Sequence, residues 1–329
     1  MPKFLIIRLS SIGDIVLTSP VIRCLKKQVP NAEIHFLTRN TFKSVLENNP
    51  YIDKLWTTDG TLNDVIPQLK KEEFTEIIDL HHNIRTYKIK RALGLTSTAF
   101  SKLNIEKWLL VNLKINRMPS IHIVDRYLST VKHLHVVNDG KGLDYFISVD
   151  ENISIDKLPS THRNGFIACV IGAKHATKIM PTEKIIAVLK TLQHPIVLLG
   201  GPDDKERGNN IATEIGSSIF NACGIYKLNE SASLLQQSKL VITHDTGLMH
   251  IAAAFKKPIV SLWGNTVPEF GMTPYFPMNE NHSIIMEVKN LSCRPCSKIG
   301  YNKCPKKHFN CMNQIKNNDI IIAVNKLIS

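Results

Sequence analysis

Residues 239–264, KLVITHDTGLMHIAAAFKKPIVSLWG, constrain the fold more than any other stretch of the chain. Leu240, Val241 and Ile242 form a short apolar run, Thr243, His244, Asp245 and Thr246 interrupt it, and an alanine-rich segment over 248–255 precedes a second apolar run that opens at Pro258. That order reads strand, polar turn, helix, strand, and two strands joined through a helix pair in parallel. Asp245, Thr246 and Gly247 then sit where a strand feeds a helix N-terminus, whose free N–H groups and positive dipole end suit a phosphate. Gly247 lets an anion approach the backbone, Thr246 offers a hydroxyl donor, and His250 returns to the same end of the helix one turn later. An ordinary capped helix with a surface histidine accounts for the same residues, and the stretch alone does not separate the two.

The alternation recurs along the chain. Residues 3–9 read as a buried strand, followed by the polar turn Ser10, Ser11, Ile12, Gly13, Asp14 and a helix with Ile15, Val21, Ile22 and Leu25 on one stripe, in which Pro20 lies early or makes a kink. Strands are expected over 33–38, 52–57 and 77–80, with helices over 41–48, 62–71 and 84–93, the last with a basic face. Two helical stretches follow around Trp108 and over 126–134, and residues 144–165 read as a linker. A second alternation then begins: a strand over 166–171 ending in Gly172, Ala173, Lys174 and His175, a helix from Pro181 to 192, a strand over 196–199, and helices over 203–215 and 230–237 around a short strand. A helix over 319–327 ends the chain. The fold class expected is α/β, with two Rossmann-like, doubly wound parallel-sheet domains facing a cleft. The expected boundaries are 1–155, 156–312 and a C-terminal helix in 313–329 packing back on the N-terminal domain.

With 329 residues, 43% of them hydrophobic and 21% charged, the chain has the composition of a globular protein with two ordinary cores. No apolar run approaches the roughly 18 residues of a membrane span, and the N-terminus lacks the pattern of a signal peptide, so a cytoplasmic location is expected. A formal net charge of +13 calls for acidic partners. Lys and Arg are dispersed and accompany no zinc-finger or RRM-type signature, which argues against nucleic acid; an anionic membrane surface fits better.

Several positions have the chemistry of a site. Asp14 follows a small-residue turn where it can face a cleft and act as a general base on a sugar hydroxyl, although a lone Asp at a helix start is most often a cap. In that turn, SSIGD holds one glycine where a G-x-G-x-x-G dinucleotide fingerprint would be required, which counts against a nicotinamide or flavin enzyme. Lys178 shares a loop with Lys174 and His175, a composition suited to a pyrophosphate as well as to solvent. Asp203, Asp204 and Glu206 follow a glycine pair at a strand end, where a carboxylate can receive a ribose diol or simply favour a helix dipole. Cys24, Cys169 and Cys223 lie in apolar surroundings and read as reduced core residues. Cys293, Cys296, Cys304 and Cys311 are spaced C-x2-C-x7-C-x6-C, compatible with zinc, but the second pair lacks the knuckle spacing and free thiols are preferred.

RLSSIGDIVLTSP, IIDLHHNIRT, KIMP, VLLGGPDDKER and above all HDTGLMHIAAAFKKPIVSLWGNT together resemble the bacterial heptosyltransferases of glycosyltransferase family 9, over nearly the whole chain. The resemblance implies a two-domain GT-B fold and inverting transfer of a heptose from an ADP-sugar to a hydroxyl of a lipid-linked lipopolysaccharide core, with no cofactor and no metal required, at the inner-membrane surface. It assigns Asp14 as general base and places Lys178, Glu206, Tyr226, Asp245, Thr246, Gly247 and His250 around the donor. Ser10, Ser11, Gly13, Asn83 and Arg85 would line the acceptor side, and closure of the two domains would bring the halves together. One departure is Met180, where the family carries tryptophan. A GT-B sugar-nucleotide epimerase and a non-catalytic nucleotide-sugar-binding protein remain as alternatives.

Overall fold

The β-branched runs of the first hundred residues pair as parallel strands in the computed structural model, which describes residues 1–328. The chain divides into two compact units: Met1–Lys102 with Ile121–Phe146, and Leu103–Ser120 with the chain from Ile147 onward. In the first unit β1 (Lys3–Ile7), β2 (Glu33–Arg39), β3 (Lys54–Thr58), β4 (Glu76–Asp79) and β5 (Ser97–Ala99) form a five-stranded sheet in the order β3-β2-β1-β4-β5. Central β1 is flanked in parallel by β2 and β4, and Phe4 to Ile7 are buried, as the apolar run KFLII demands. Strand order reverses between β1 and β4, so their carboxyl ends frame the crevice in which such sheets bind ligands. Helices α1 (Ile12–Val16), α2 (Ser19–Gln28), α3 (Val65–Lys70) and α4 (Ile84–Leu93) belong to this unit. Pro20 sits in the first turn of α2, where its missing N–H costs nothing, and buried Arg23 of the same helix pairs with Asp139 and Asp144, fixing the 139–144 segment to it.

Helix α5 (Asn104–Trp108), with a wider π turn over Leu109–Leu113, is part of the second unit, where Leu110 packs on Val267 and Phe270; α6 (Ile123–Leu128) returns to the first. The second sheet contains β6 (Ile167–Val170), β7 (Ile196–Leu199), β8 (Ile219–Asn221), β9 (Leu240–His244), β10 (Ile259–Trp263) and β11 (Ser283–Glu287) in the order β11-β10-β9-β6-β7-β8, all parallel. Its switch point lies between β6 and β9. Helices α7 (Thr182–Thr191), α8 (Lys205–Ile215), α9 (Leu228–Gln237), α10 (Gly247–Ala254), α11 (Asn310–Asn313) and α12 (Asn317–Ile328) complete the unit.

Several expectations are corrected. Residues 41–48 form a short 3-10 turn over Asn40–Val45 rather than an α-helix, and β5 and β11 are strands that apolar periodicity did not mark. Thr243 and His244, taken from sequence as the start of a polar turn, are fully buried members of β9, because an interior strand can carry polar side chains when each finds a partner. The last helix packs inside the second unit, with Ile320, Ala323 and Val324 in its core beside Leu240 and Val260. Its apolar face was legible, whereas the sheet that receives it was not. No helix among the described residues is long and apolar enough to cross a membrane.

Candidate active site

At the end of β1 the chain turns through Ser10 and Ser11 into α1, and Asp14 occupies the third position of that helix. One carboxylate oxygen accepts from the Ser11 hydroxyl at 2.7 Å and, at 3.3 Å, from the Ser11 backbone N–H. The other meets Arg8 Nη2 at 2.6 Å. Asp14 is thus a capping residue and something more, since an ordinary cap has no cation behind it. Arg8 is 7% exposed; its Nε donates to the Ser10 carbonyl at 2.7 Å, its Nη1 to the Leu80 carbonyl, and its guanidinium lies 5.7 Å from the Tyr127 ring centroid. Burial disfavours the Arg8 charge, but Asp14, Tyr127 and Asp79 outweigh that cost and push its pKa up, so the guanidinium stays charged. Arg8 therefore ties β1, the following turn and the end of β4 together around one carboxylate.

Beside it Asp79, wholly buried, accepts from the backbone N–H groups of His81 and His82 at 3.0 and 2.6 Å and pairs with Lys90 Nζ at 3.0 Å. Those bonds shape the turn into α4, which Asn83 caps by accepting from Thr86 N at 3.0 Å. Arg85 stands exposed on the first turn. Burial, then Arg8 and Lys102, hold the His81 pKa down to about 4, leaving that imidazole neutral near pH 7.

In the second unit the loop after β6 and the turn after β9 converge. Lys178 Nζ lies 2.6 Å from Asp245 Oδ2 and 3.3 Å from the Asp245 carbonyl, and the Thr266 hydroxyl donates to the same Oδ2 at 2.9 Å. Thr246 is the extended N-cap of α10 and no side-chain cap bond closes the helix start, so its first-turn N–H groups are presented beside the lysine. Gly247 opens the helix there. His250, on the next turn, is 2% exposed, so it is not a surface histidine. Beneath, His244 Nε2 accepts from Met180 N at 3.0 Å, and burial, with Arg207 adding to it, holds the His244 pKa down to about 3. Arg207 donates to the carbonyls of Ile171 and Met180, both at 2.6 Å, pinning the two ends of the lysine loop.

The cysteine-bearing tail supports this turn. Thr177 and Tyr301 exchange backbone and hydroxyl hydrogen bonds at 2.8–3.1 Å, and Arg294 donates to the Gly264 and Thr266 carbonyls while pairing with Glu287 at 2.6 Å. A Cβ at Gly264 would stand 2.6 Å from the Thr177 carbonyl, which is why the chain has no side chain there. Cys293 Sγ approaches His308 Nε2 at 3.8 Å; burial first, then neighbouring thiols, push Cys296 up to about 11 and Cys311 up to about 12. Among the described residues, ligand atoms of the tail do not gather within 4.8 Å of one another in threes; only Glu33, His35 and Glu72 do, and Lys3 and Lys54 already pair with those carboxylates.

Of the residues singled out from sequence, Ser10, Ser11, Gly13 and Asp14 share one turn, Asn83 and Arg85 the neighbouring one, and Lys178, Asp245, Thr246 and Gly247 a single cluster. Glu206 is exposed in the first turn of α8, and Tyr226 is half-buried with its pKa raised by burial and then by Glu230. Asp204, rather than Glu206, folds back to accept from Gly201 N at 2.9 Å. Arg8, Tyr127, Arg207 and Thr266 escaped the sequence reading. An arginine directly after the apolar run of β1, ahead of Leu9, was the one signal available.

A family model described as glycosyltransferase family 9 (heptosyltransferase) matches residues 64–307. Lipopolysaccharide heptosyltransferase 1 of Campylobacter coli is 25% identical over an alignment covering 99% of this chain and 98% of the relative. Among solved structures, a family 9 glycosyltransferase from Veillonella parvula superposes with a TM-score of 0.80 at 23% identity, covering 99% of this chain and 97% of that one. The E. coli ADP-heptose lipopolysaccharide heptosyltransferase II does so at 0.76 and 20%, covering 99% and 98%. These likenesses give the chain the GT-B fold. With the family model spanning well over half of its length, the chain belongs to glycosyltransferase family 9, the heptosyltransferases, and is a glycosyltransferase.

Proposed function

We propose that the protein transfers a heptosyl residue from ADP-heptose to a hydroxyl group of a lipid-linked lipopolysaccharide core, with inversion at the anomeric carbon, while working at the anionic surface of the inner membrane. The observation that carries the donor half is the Lys178–Asp245 pair at 2.6 Å, with Asp245 directly before the N-cap Thr246 of α10 and no side-chain cap bond at that helix start. A diphosphate leaving group gains negative charge as the bond to the anomeric carbon breaks. Lys178 and the amides of Thr246 and Gly247 stabilise that charge, so the chemistry needs no metal ion. Asp245 and Thr266 hold the lysine in place, Thr246 and His250 border the donor, and Glu206 and Tyr226 lie on its nucleoside side.

The acceptor half is the Asp14 turn. Held as an anion by Arg8, Asp14 takes the proton from the acceptor hydroxyl as its oxygen attacks the anomeric carbon. Ser10, Ser11 and Gly13 border that hydroxyl, and Asn83 with Arg85 receive acidic groups of the core. Membership of the family weighs against an epimerase and a non-catalytic binder.

The test is a donor screen by nucleotide release. ADP release from ADP-heptose should require a lipopolysaccharide-core acceptor, and other nucleotide sugars should give far less. Equal release without acceptor, or isomerised sugar from donor alone, overturns the assignment.

A further inference from the structure

The stretch 84–121 stands apart from the rest of the surface. It holds seven of the fifteen large apolar side chains that are exposed among the described residues, and eight Lys and Arg against the single acid Glu106. Scattered exposed apolar residues need no explanation, but so dense a set marks a contact surface. Helix α4 carries Arg85, Lys88, Lys90 and Arg91 and no acid; Lys90 is committed to buried Asp79, while Ile84 and Tyr87 are 77% and 60% exposed beside Lys88 and Arg91. In the second unit, α5 and its π turn send Leu110 inward onto Val267 and Phe270. Ile105, Trp108, Leu113 and Ile115 point outward, 45–73% exposed.

We infer that each of these faces, α4 in the first unit and α5 with its π turn in the second, docks on an anionic phospholipid bilayer. Exposed Trp, Tyr and Ile beside basic side chains are the residues that partition into the interface between headgroups and acyl chains. Charge selects this occupant over a second copy of the chain. With a net charge of +13, two copies meeting through the same basic faces would repel, whereas anionic lipid attracts each Lys or Arg near its surface. The inference deepens the proposed function, since a lipid-linked acceptor has to be met at a bilayer, and it assigns the surface that meets it.

The experiment is co-sedimentation of the full chain with vesicles of phosphatidylcholine alone or with about one third phosphatidylglycerol, read beside transfer to a core acceptor stripped of its acyl chains. Wild type should partition onto the anionic vesicles and release with added salt. Ile105→Ser with Trp108→Ser, and separately Lys88→Glu with Arg91→Glu, should each lower partitioning at least tenfold. For the Lys88 and Arg91 variant that figure follows from about fivefold per basic residue at the surface; the Ile105 and Trp108 variant loses two apolar side chains from the interface. Transfer to the stripped acceptor should be unchanged in both variants. Partitioning equal to wild type in both, binding indifferent to phosphatidylglycerol, or a wild-type dimer that the Trp108 variant dissociates overturns the inference. Loss of transfer to every acceptor in wild type, with vesicle binding intact, would fault the proposed function and leave the docking surface standing.

Discussion

The turn after β1 and the turn after β9 are the same backbone device, a parallel strand running at a switch point into a helix, but they use an ion pair in opposite senses. In the first, the cation is the fixture: Arg8 is bound to two carbonyls and lies over Tyr127, and Asp14 is the group presented. In the second, the carboxylate is the fixture: Asp245 is held by Thr266, and Lys178, on a flexible stem, is presented. Comparing them shows that the charge a switch-point turn offers to a ligand is decided by which partner the rest of the protein immobilises, not by the turn's shape.

The largest effect expected in breaking this contrast is on the presented carboxylate. Asp14→Asn should lower turnover by about 10² to 10⁴ while nucleotide affinity stays near wild type, because it removes the proposed general base and lies outside the proposed donor cluster; calorimetry with ADP alongside initial rates reads both. Near-normal turnover would take Asp14 out of the mechanism. Lys178→Ala should cost about 10² to 10³ in kcat/KM and, unlike the first variant, weaken ADP binding as well. Identical ADP affinities in the two variants would erase the distinction between the halves.

Removing a fixture should act first on stability. Arg8→Ala takes the buried cation from Asp14 and one donor from each of two carbonyls and should destabilise by about 2–3 kcal/mol in urea unfolding, below the 3–5 of a fully buried pair because Asp14 keeps some access to water and its Ser11 hydrogen bonds. On the other side His244 gives a pH signature. Its folded pKa near 3 lies below the unfolded value near 6.5, so the unfolded chain binds the extra proton and stability declines as pH falls from about 6.5 toward 3, by at most about 1.4 kcal/mol per pH unit. His244→Gln should flatten that slope, and an unchanged slope would place its origin elsewhere. Thr266→Val is the mildest change. It takes one hydrogen bond from a charged group, worth about 1–2 kcal/mol, and should lower kcat/KM by about fivefold to thirtyfold with donor affinity falling in step.

Much of this was legible in one dimension. The order of apolar runs and helix stripes yielded the parallel α/β class and placed Asp14 and Asp245 where strands feed helices and Lys178 just before a helix start, because side-chain period and the need to bury one face are local properties. Strand ends carrying Thr243 and His244 were read as turn, since a buried polar side chain differs from an exposed one only in what it touches. The segment that carries the tail cysteines also braces the Lys178 loop through Tyr301 and the Thr266 loop through Arg294, contacts that no local pattern contains.

Residue type and spacing within a few neighbours are enough for the class of fold, for the two strand-to-helix turns and for the identity of the charged residues in them. Tertiary structure alone decided the pairings: Arg8 with Asp14 and the Leu80 carbonyl, Lys178 with Asp245 across 67 positions, and Thr177 with Tyr301 across 124. A parallel sheet brings together strand ends far apart in the chain, and the electrostatics of a buried pair depends on that distance and on lost solvent, neither of which a linear pattern contains.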